Sequence, residues 1–198
     1  MGLALSYIDG QTPLDEDEKE GLLVQTIATR SELDEFEQKN IEEAILWLLN
    51  KSLKKENIFT EKFICDLHKR MYGSVWSWAG KFRKTNKNLG VDKHQIPVDL
   101  RNLCDDAIYW IAHNVYPPEE IAIRFKHRIV SIHCFPNGNG RHSRLMADII
   151  INKVYGKPLF NWGAGDLVHK GKARNMYLNA IRSADKGNFE SLLAFAKS

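Results

Sequence analysis

The chain has few cysteines, and their spacing excludes two common kinds of site. Only Cys65, Cys104 and Cys134 occur among 198 residues, and no two of them form a Cys-x-x-Cys pair. An odd number of widely separated cysteines supports neither a disulfide framework nor a zinc knuckle. A His-Glu-x-x-His sequence is also absent, which weakens the case for a metal-dependent hydrolase.

Long apolar runs and a strong charge of one sign are absent as well. No stretch approaches the length that spans a membrane, and the first residues lack the basic-then-apolar pattern of a secretion signal. The net charge is +3, from 28 basic and 25 acidic residues, which is too small to predict a nucleic-acid surface. We therefore expect a cytoplasmic protein that binds neither membranes nor nucleic acid directly.

Apolar residues recur at three- and four-residue intervals along most of the chain, which is typical of amphipathic helices. With 43% hydrophobic and 27% charged residues among 198, the composition is that of one folded domain with a good core. We predict an all-α fold of about seven to eight helices. In chain order, their predicted starts or ranges are Asp15, Ser31, Thr60, Asp99, Pro118, the turn at Gly140, 166–183 and 189–196.

The segment 81–98 departs from the helical pattern. It is polar, it contains Asn88, Gly90 and Asp92, and apolar residues flank its centre. Turn-forming residues between short apolar positions favour a β-hairpin, although an exposed loop fits the same pattern nearly as well.

The most informative stretch runs from His133 to Arg144 and leads into an apolar-periodic helix. It contains an Asn-Gly-Asn-Gly turn at 137–140, at the point where that helix is predicted to begin. Free N–H groups and the helix dipole favour an anion at such an end, and glycine lets a phosphate approach the backbone closely. The turn is therefore a candidate phosphate site.

Charged side chains on both sides of this turn support the same interpretation. Arg141 and Arg144 are neighbours on the first helical turn, where two guanidinium groups can clamp a polyphosphate. His133 lies just before the turn and can accept a proton near neutral pH. Together these residues predict transfer of a phosphorus-containing group to a hydroxyl. Taken singly, they have ordinary alternatives, namely a tight turn and a structural histidine.

This spacing resembles the signature of the Fic (filamentation induced by cAMP) domain family, His-x-Phe-x-Asp/Glu-Gly-Asn-Gly-Arg-x-x-Arg. His133, Phe135 and the fixed positions of 138–144 match it. Asn137 stands where most active members carry Asp or Glu, and Cys134 replaces the usual proline. The Pro-Asn-Gly-Asn-Gly-Arg-His form is most similar to the group called mobile mystery protein B.

The resemblance covers roughly residues 30–195. The segment 80–97 resembles the flap of the family, and the end of the chain at 177–188 is also similar. The resemblance implies a Fic-type helical domain at 31–198 with a small β-hairpin flap, preceded by an N-terminal extension at 1–30.

The resemblance also implies roles for the motif residues. His133 would remove the proton of the acceptor hydroxyl, and Phe135 would anchor the loop. Arg141 would assist catalysis by stabilising charge on the leaving pyrophosphate. The residues implied to bind the nucleotide are Gly138, Asn139, Gly140, Arg141 and Arg144.

Two further roles follow from the resemblance. Asn137 occupies the position of the Mg²⁺ ligand, where a neutral amide replaces the carboxylate that this ion prefers. The flap would hold a target segment by strand addition, and its docking residues are expected to be Leu89, Val91 and Ile96.

The activity implied is protein adenylylation, with ATP as donor and Mg²⁺ as cofactor. AMP would pass to a Ser, Thr or Tyr hydroxyl of a target protein, and pyrophosphate would leave. Gly140 resembles the nucleotidyl-transferring branch of the family, whereas phosphate-transferring members carry Lys there. Two alternatives stay open: a weakly active or inactive toxin–antitoxin or mobile-element component that binds nucleotide or a partner, and an enzyme with another nucleotide donor.

Many Fic enzymes are restrained by a glutamate that pairs with the second motif arginine, here Arg144. The corresponding Ser/Thr-x-x-x-Glu-Gly/Asn pattern has its nearest match at Ser31–Glu35, where Phe36 replaces Gly or Asn. We therefore expect no working internal inhibitor, restraint by an antitoxin-like partner or by a weak metal site, and solvated side chains for the glutamates of this helix, including Glu37.

Overall fold

The structure is a computed structural model that describes Leu5, 11–164, Leu167 and 171–198. The described residues form nine α-helices, of which α1 and α3 are single turns. Their bounds are α1 Glu16–Lys19, α2 Arg30–Leu49, α3 Lys55–Ile58, α4 Glu61–Tyr72, α5 Ile96–Ala112, α6 Pro118–Ile132, α7 Asn139–Ile149, α8 Lys172–Ala184 and α9 Glu190–Lys197. The all-α prediction is confirmed.

Local capping chemistry explains where the helices begin. Thr60 caps α4 as predicted, because its hydroxyl accepts the N–H of Phe63. The cap of α2 is Thr29 rather than Ser31, since Thr29 and Glu32 form a reciprocal capping box. The predicted start of α8 near Asp166 lies outside the described residues.

The flap segment 81–95 corrects the prediction of a β-hairpin. It consists of turns and bends, and no strands pair within it. Its backbone bonds instead to the motif loop, through Arg83 N–H to the Cys134 carbonyl at 3.0 Å and Val91 N–H to the Ile132 carbonyl at 3.4 Å. Donors that a hairpin ladder needs are thus used to hold the flap against the end of α6.

Ile96 is not part of an open flap. It is the first residue of α5, where Pro97 favours a helical start, and its side chain is fully buried. The prediction that Ile96 docks a target is therefore wrong, because its side chain packs in the hydrophobic core.

Helix α6 is central to the fold and packs against α5, α7 and α9. The main core lies on one side of it and includes Phe125 and Phe135, and a smaller apolar cluster joins Ile123 of α6 to α8 and α9. The α6–α7 loop is anchored in the main core by Cys134 and Phe135. None of the helices in the described ranges combines the length and apolar character needed to cross a membrane.

Candidate active site

A cavity of about 540 Å³ opens where α6 ends and α7 begins. It lies within the range that small-molecule sites occupy. The predicted motif residues that line it are His133, Asn137, Gly138, Asn139, Gly140, Arg141 and Arg144. The cavity is also rich in arginine: Arg30, Arg174 and Arg182 line it as well, and among the described lining residues the one carboxylate is that of Asp185. This charge balance favours a polyanionic ligand.

His133 ends α6 in a left-handed conformation, with φ of 57°. This conformation turns the chain out of the helix, and His133 is only 7% exposed at the cavity wall. Its Nε2 lies 3.1 Å from the hydroxyl oxygen of Thr12. Burial, followed by the charge of Arg83, lowers the pKa of His133 to about 4. The imidazole is therefore neutral at pH 7, as a proton acceptor must be.

Arg83 ties the flap to the histidine, a role that the sequence analysis missed. Its side chain is buried and donates from Nε to the carbonyl of His133 at 2.7 Å and from Nη2 to the carbonyl of Val91. Only its place in the flap segment pointed to the site. Gly90 lies close behind the histidine, because a Cβ there would come within 2.6 Å of the His133 Cβ.

The two motif glycines lie in different surroundings. Gly138 has φ of 77°, and a Cβ at this position would lie 2.6 Å from the ring of Tyr72. Gly140 is helical, and its nearest neighbour to a Cβ would be Arg144 Nη1 at 4.0 Å. Packing therefore requires the first glycine, whereas the second leaves open space at the start of α7, where backbone N–H groups have no partner within the helix.

Asn139 supports the loop with its side chain. Its Oδ1 accepts the N–H of Phe135 at 3.0 Å, and its Nδ2 donates to the carbonyl of Phe135 at 2.7 Å. Only its backbone therefore faces a ligand. Phe135 is fully buried, as a loop anchor must be.

His68 of α4 is a second loop support that sequence reasoning passed over. Its ring is stacked on Phe135 at 3.8 Å. Its Nδ1 accepts the N–H of Gly80 at 3.0 Å, so its Nε2 carries the proton and donates to the carbonyl of Asn137, also at 3.0 Å. His68 thereby joins α4, the flap and the motif loop, and the residues next to it in the sequence gave no sign of this.

Glu37 corrects the expectation of a solvated helix face. Its side chain is 3% exposed, and its Oε2 lies 2.5 Å from Nη2 of Arg141. Its Oε1 accepts the indole N–H of Trp76 at 2.6 Å. Burial lowers the pKa of the Arg141 guanidinium, but the nearby Glu37 carboxylate has the larger opposite effect, so the pKa is raised overall. The prediction missed this pair because the two residues are 104 positions apart.

Arg144 lies beside an aromatic and a buried amine. Its guanidinium is 5.4 Å from the ring centre of Tyr177 on α8, and the Nζ of Lys126 lies 4.6 Å from the same ring. Burial raises the pKa of Tyr177, but Lys126 and Arg144 more than offset this and lower it overall. Glu37 of α2 thus pairs with the first motif arginine, Arg141, whereas an inhibitory glutamate of the family pairs with the second. That second arginine, Arg144, contacts α8 instead.

Asn137 offers little to a metal ion. Its Oδ1 accepts the N–H of Gly138 at 2.6 Å. Within the described ranges no group of three or more His, Cys, Asp or Glu side chains could hold a metal. Mg²⁺ usually binds through one or two carboxylates plus substrate phosphates. The protein donor set therefore does not fit Mg²⁺ by itself.

Because two histidines are buried, we expect the protein to lose stability in mild acid. Burial lowers the pKa of both His133 and His142 from 6.5 to about 4. Unfolded chains bind more protons between these values, so stability is full above pH 6.5 and falls as the pH drops toward 4. Each histidine should cost about 2 kcal/mol of unfolding free energy at pH 5 relative to pH 7.

Denaturant titrations at pH 7 and pH 5 measure this loss. His142→Gln is the matched control, because Gln can still donate to the Ile64 carbonyl that His142 contacts at 3.1 Å but does not titrate. The variant should lose less stability than the wild type on acidification. An equal loss in both proteins would show that His142 is not a source of the acid sensitivity.

Comparison with known proteins adds to this geometry. The Fic/DOC family model matches residues 58–151. The chain is 27% identical over 151 residues to protein adenylyltransferase Fic of Drosophila grimshawi, which covers 74% of this chain and 30% of that protein. The counterpart of the same name from Nematostella vectensis is 23% identical over 170 residues, or 84% of this chain and 38% of that protein. The chain thus spans about a third of the length of these relatives.

Solved structures share the fold at low identity. Fic-1 of C. elegans, residues 134–508, superposes with a TM-score of 0.64 at 21% identity, covering 90% of this chain and 51% of that one. BepC of Bartonella tribocorum, with bound AMPPNP, gives a TM-score of 0.67 at 16% identity, covering 92% and 97%. The matched residues 58–151 span α4 to α7 and the whole motif loop, so all of the motif residues lie in the part of the chain that matches the Fic/DOC family.

Proposed function

We propose that this chain is a protein adenylyltransferase that moves AMP from ATP to a hydroxyl of a target protein. The relatives named protein adenylyltransferase support this, as does the structure with bound AMPPNP. The observation that carries the proposal is that one cavity holds a neutral histidine, an open helix N-terminus and an arginine-rich wall.

The residues divide the reaction between them. His133 Nε2 takes the proton of the acceptor hydroxyl, whose oxygen attacks the α-phosphorus. The first-turn N–H groups of α7 hold the α- and β-phosphates, and Arg141 stabilises the charge that develops on the leaving pyrophosphate. Arg144, placed one turn along α7, holds the far end of the polyphosphate. Leu89, which is 45% exposed and lines the cavity, and the half-buried Val91 are the flap residues that meet a target.

A transfer assay tests the proposal directly. The full chain is incubated with α-labelled ATP and Mg²⁺, and both protein-bound label and released pyrophosphate are measured. We expect the two in equal amounts. ATP binding with neither product would instead support a nucleotide-binding, inactive member of the family, and a stronger reaction with UTP or GTP would change the donor.

We propose that Mg²⁺ would be brought by the nucleotide and would supply charge neutralisation to its phosphates, and that Asn137 is the protein residue at the position of the family's metal ligand. Asn137→Asp should lower the Mg²⁺ concentration for half-maximal transfer and raise the rate, because a carboxylate adds a charged ligand. The measurement is the transfer rate against Mg²⁺ concentration. A lower rate at saturating Mg²⁺ would mean that the amide suits this site.

The second candidate function rests on the same position. Asn137 and the absence of a carboxylate at the loop favour a weakly active member, such as a component of a toxin–antitoxin system restrained by an antitoxin-like partner. Membership of the mobile mystery protein B group is compatible with this role. Asn137→Asp tests this candidate, since a weakened enzyme should gain transfer activity, whereas an inactive member that only binds nucleotide should not.

A further inference from the structure

The N-terminal segment places a hydroxyl at the candidate base. Thr12 is 6% exposed, its Oγ1 lies 3.1 Å from His133 Nε2, and it lines the same cavity as the glycine turn and both motif arginines. The two residues are 121 positions apart, so this contact is made by the tertiary fold alone.

The flap holds this segment in place. Lys87, whose side chain is 3% exposed, forms ion pairs with Asp15 at 2.8 Å and with Glu18 at 2.5 Å. Its Nζ also donates to the carbonyl of Pro13 at 3.4 Å. Thr85 donates to Asp15 at 2.5 Å. The flap therefore holds residues 13–18 of its own chain next to the base.

Packing in the main core also fixes this N-terminal segment. Leu14 is 5% exposed and belongs to the main hydrophobic core. With Leu14 buried on one side and Lys87 closing over Pro13 and Asp15, the intervening backbone has little freedom. Thr12 is thus held at the histidine by both its apolar and its polar neighbours.

The contact between His133 and Thr12 suits proton transfer. Nε2 is the ring nitrogen that faces the Thr12 hydroxyl, at 3.1 Å. A neutral imidazole has one nitrogen that accepts, so in the tautomer with its proton on Nδ1 the Nε2 lone pair accepts the hydrogen bond of that hydroxyl.

We propose that Thr12 is an internal acceptor and is adenylylated by its own active site, an inference that rests on the proposed function. The Thr12 Oγ1 forms a bond to the α-phosphorus of ATP, and the bond from that phosphorus to the bridging oxygen of the β-phosphate breaks. Pyrophosphate leaves with the electron pair, and the hydroxyl proton passes to His133 Nε2. The product is a phosphodiester on Thr12.

Because acceptor and base belong to one chain, the transfer is intramolecular. Its rate per molecule should not change on dilution. A second copy that lacks the base, His133→Ala, should stay unlabelled when mixed with the wild type, because its Thr12 is held in its own cavity.

The test is peptide mass spectrometry of the full chain after incubation with ATP and Mg²⁺. We expect the adenylyl adduct on Thr12, its loss in Thr12→Val and its retention in Thr12→Ser. Thr26→Val is the matched control, since Thr26 is exposed and its loss should leave the adduct unchanged. Label that appears on the admixed His133→Ala chain would overturn the intramolecular transfer.

Pyrophosphate release separates failure of this inference from failure of the proposed function. Release together with label on side chains other than Thr12 would overturn the inference and leave the proposed function standing. Neither release nor any adduct, in a protein shown to bind ATP, would remove the proposed function and the inference with it.

Discussion

Replacing His133 by alanine should lower the rate of AMP transfer by about 10²–10⁴ while ATP binding stays near the wild-type level. In the proposed mechanism the base acts on the acceptor, whereas the phosphates meet the start of α7 and the arginines beyond it. Transfer rates and calorimetric ATP binding measure the two effects separately. Loss of both would indicate that His133 supports the loop instead, a possibility raised by its tight packing against Arg83 and Gly90.

The control for this variant is His113→Ala, which removes an exposed histidine at the end of α5. It should leave transfer and binding unchanged. Equal activity of His133→Ala and this control would end the assignment of His133 as the base.

The pH dependence adds an independent test of the same residue. A base with a pKa of about 4 is already unprotonated at pH 6, so transfer by the wild type should be nearly constant from pH 8 to pH 6. Transfer should fall only as the pH approaches 4. A fall centred near 6.5, the ordinary value for histidine, would show that His133 is not held in the desolvated state described here.

Replacing Glu37 by glutamine should have the largest effect on stability. The carboxylate is buried and compensates the charge of Arg141, and removal of one partner of such a pair costs about 3–5 kcal/mol. Glutamine keeps the shape and can still accept the indole N–H of Trp76. Denaturant titration of the ligand-free protein measures the loss.

The same substitution leaves Arg141 without its anionic partner, which a phosphate can replace. We therefore expect ATP to bind more tightly to Glu37→Gln and to raise its melting temperature more than that of the wild type. Glu35→Gln, on the exposed side of α2, is the matched control and should change stability by less than about 0.5 kcal/mol.

A large gain of transfer activity in Glu37→Gln would contradict the expectation that the chain carries no working internal inhibitor. It would show that Glu37 restrains the site through Arg141. Tighter ATP binding with an unchanged transfer rate would agree with a structural partner that competes modestly with phosphate.

Local patterns were sufficient to predict the helical framework. Helix periodicity and caps such as Thr60 depend on neighbours within one turn, so they can be read from a few consecutive residues. The motif loop is also local, because its glycines, its asparagine and its two arginines lie within one loop and one helical turn. Their shared place in one cavity follows from that short spacing.

The flap shows where local patterns fail. Turn residues at 81–95 are compatible with a hairpin or a loop, and the choice depends on whether the backbone donors find partners in the flap or elsewhere. In the structure they find them in the motif loop, so no ladder forms. The local sequence also did not determine whether Ile96 is buried, because isoleucine suits both a helix start and an exposed docking face.

By itself the sequence determined the fold class, the helix that begins at the glycine turn and the identity of the candidate base, because each is encoded by residues close together in the chain. Only the tertiary structure decided the partners of that base and of Arg141. Thr12 and Glu37 reach the site from 121 and 104 positions away. The reason is physical: which distant polar group enters a buried site depends on how helices and loops pack, and a single sequence carries no local signal of that packing.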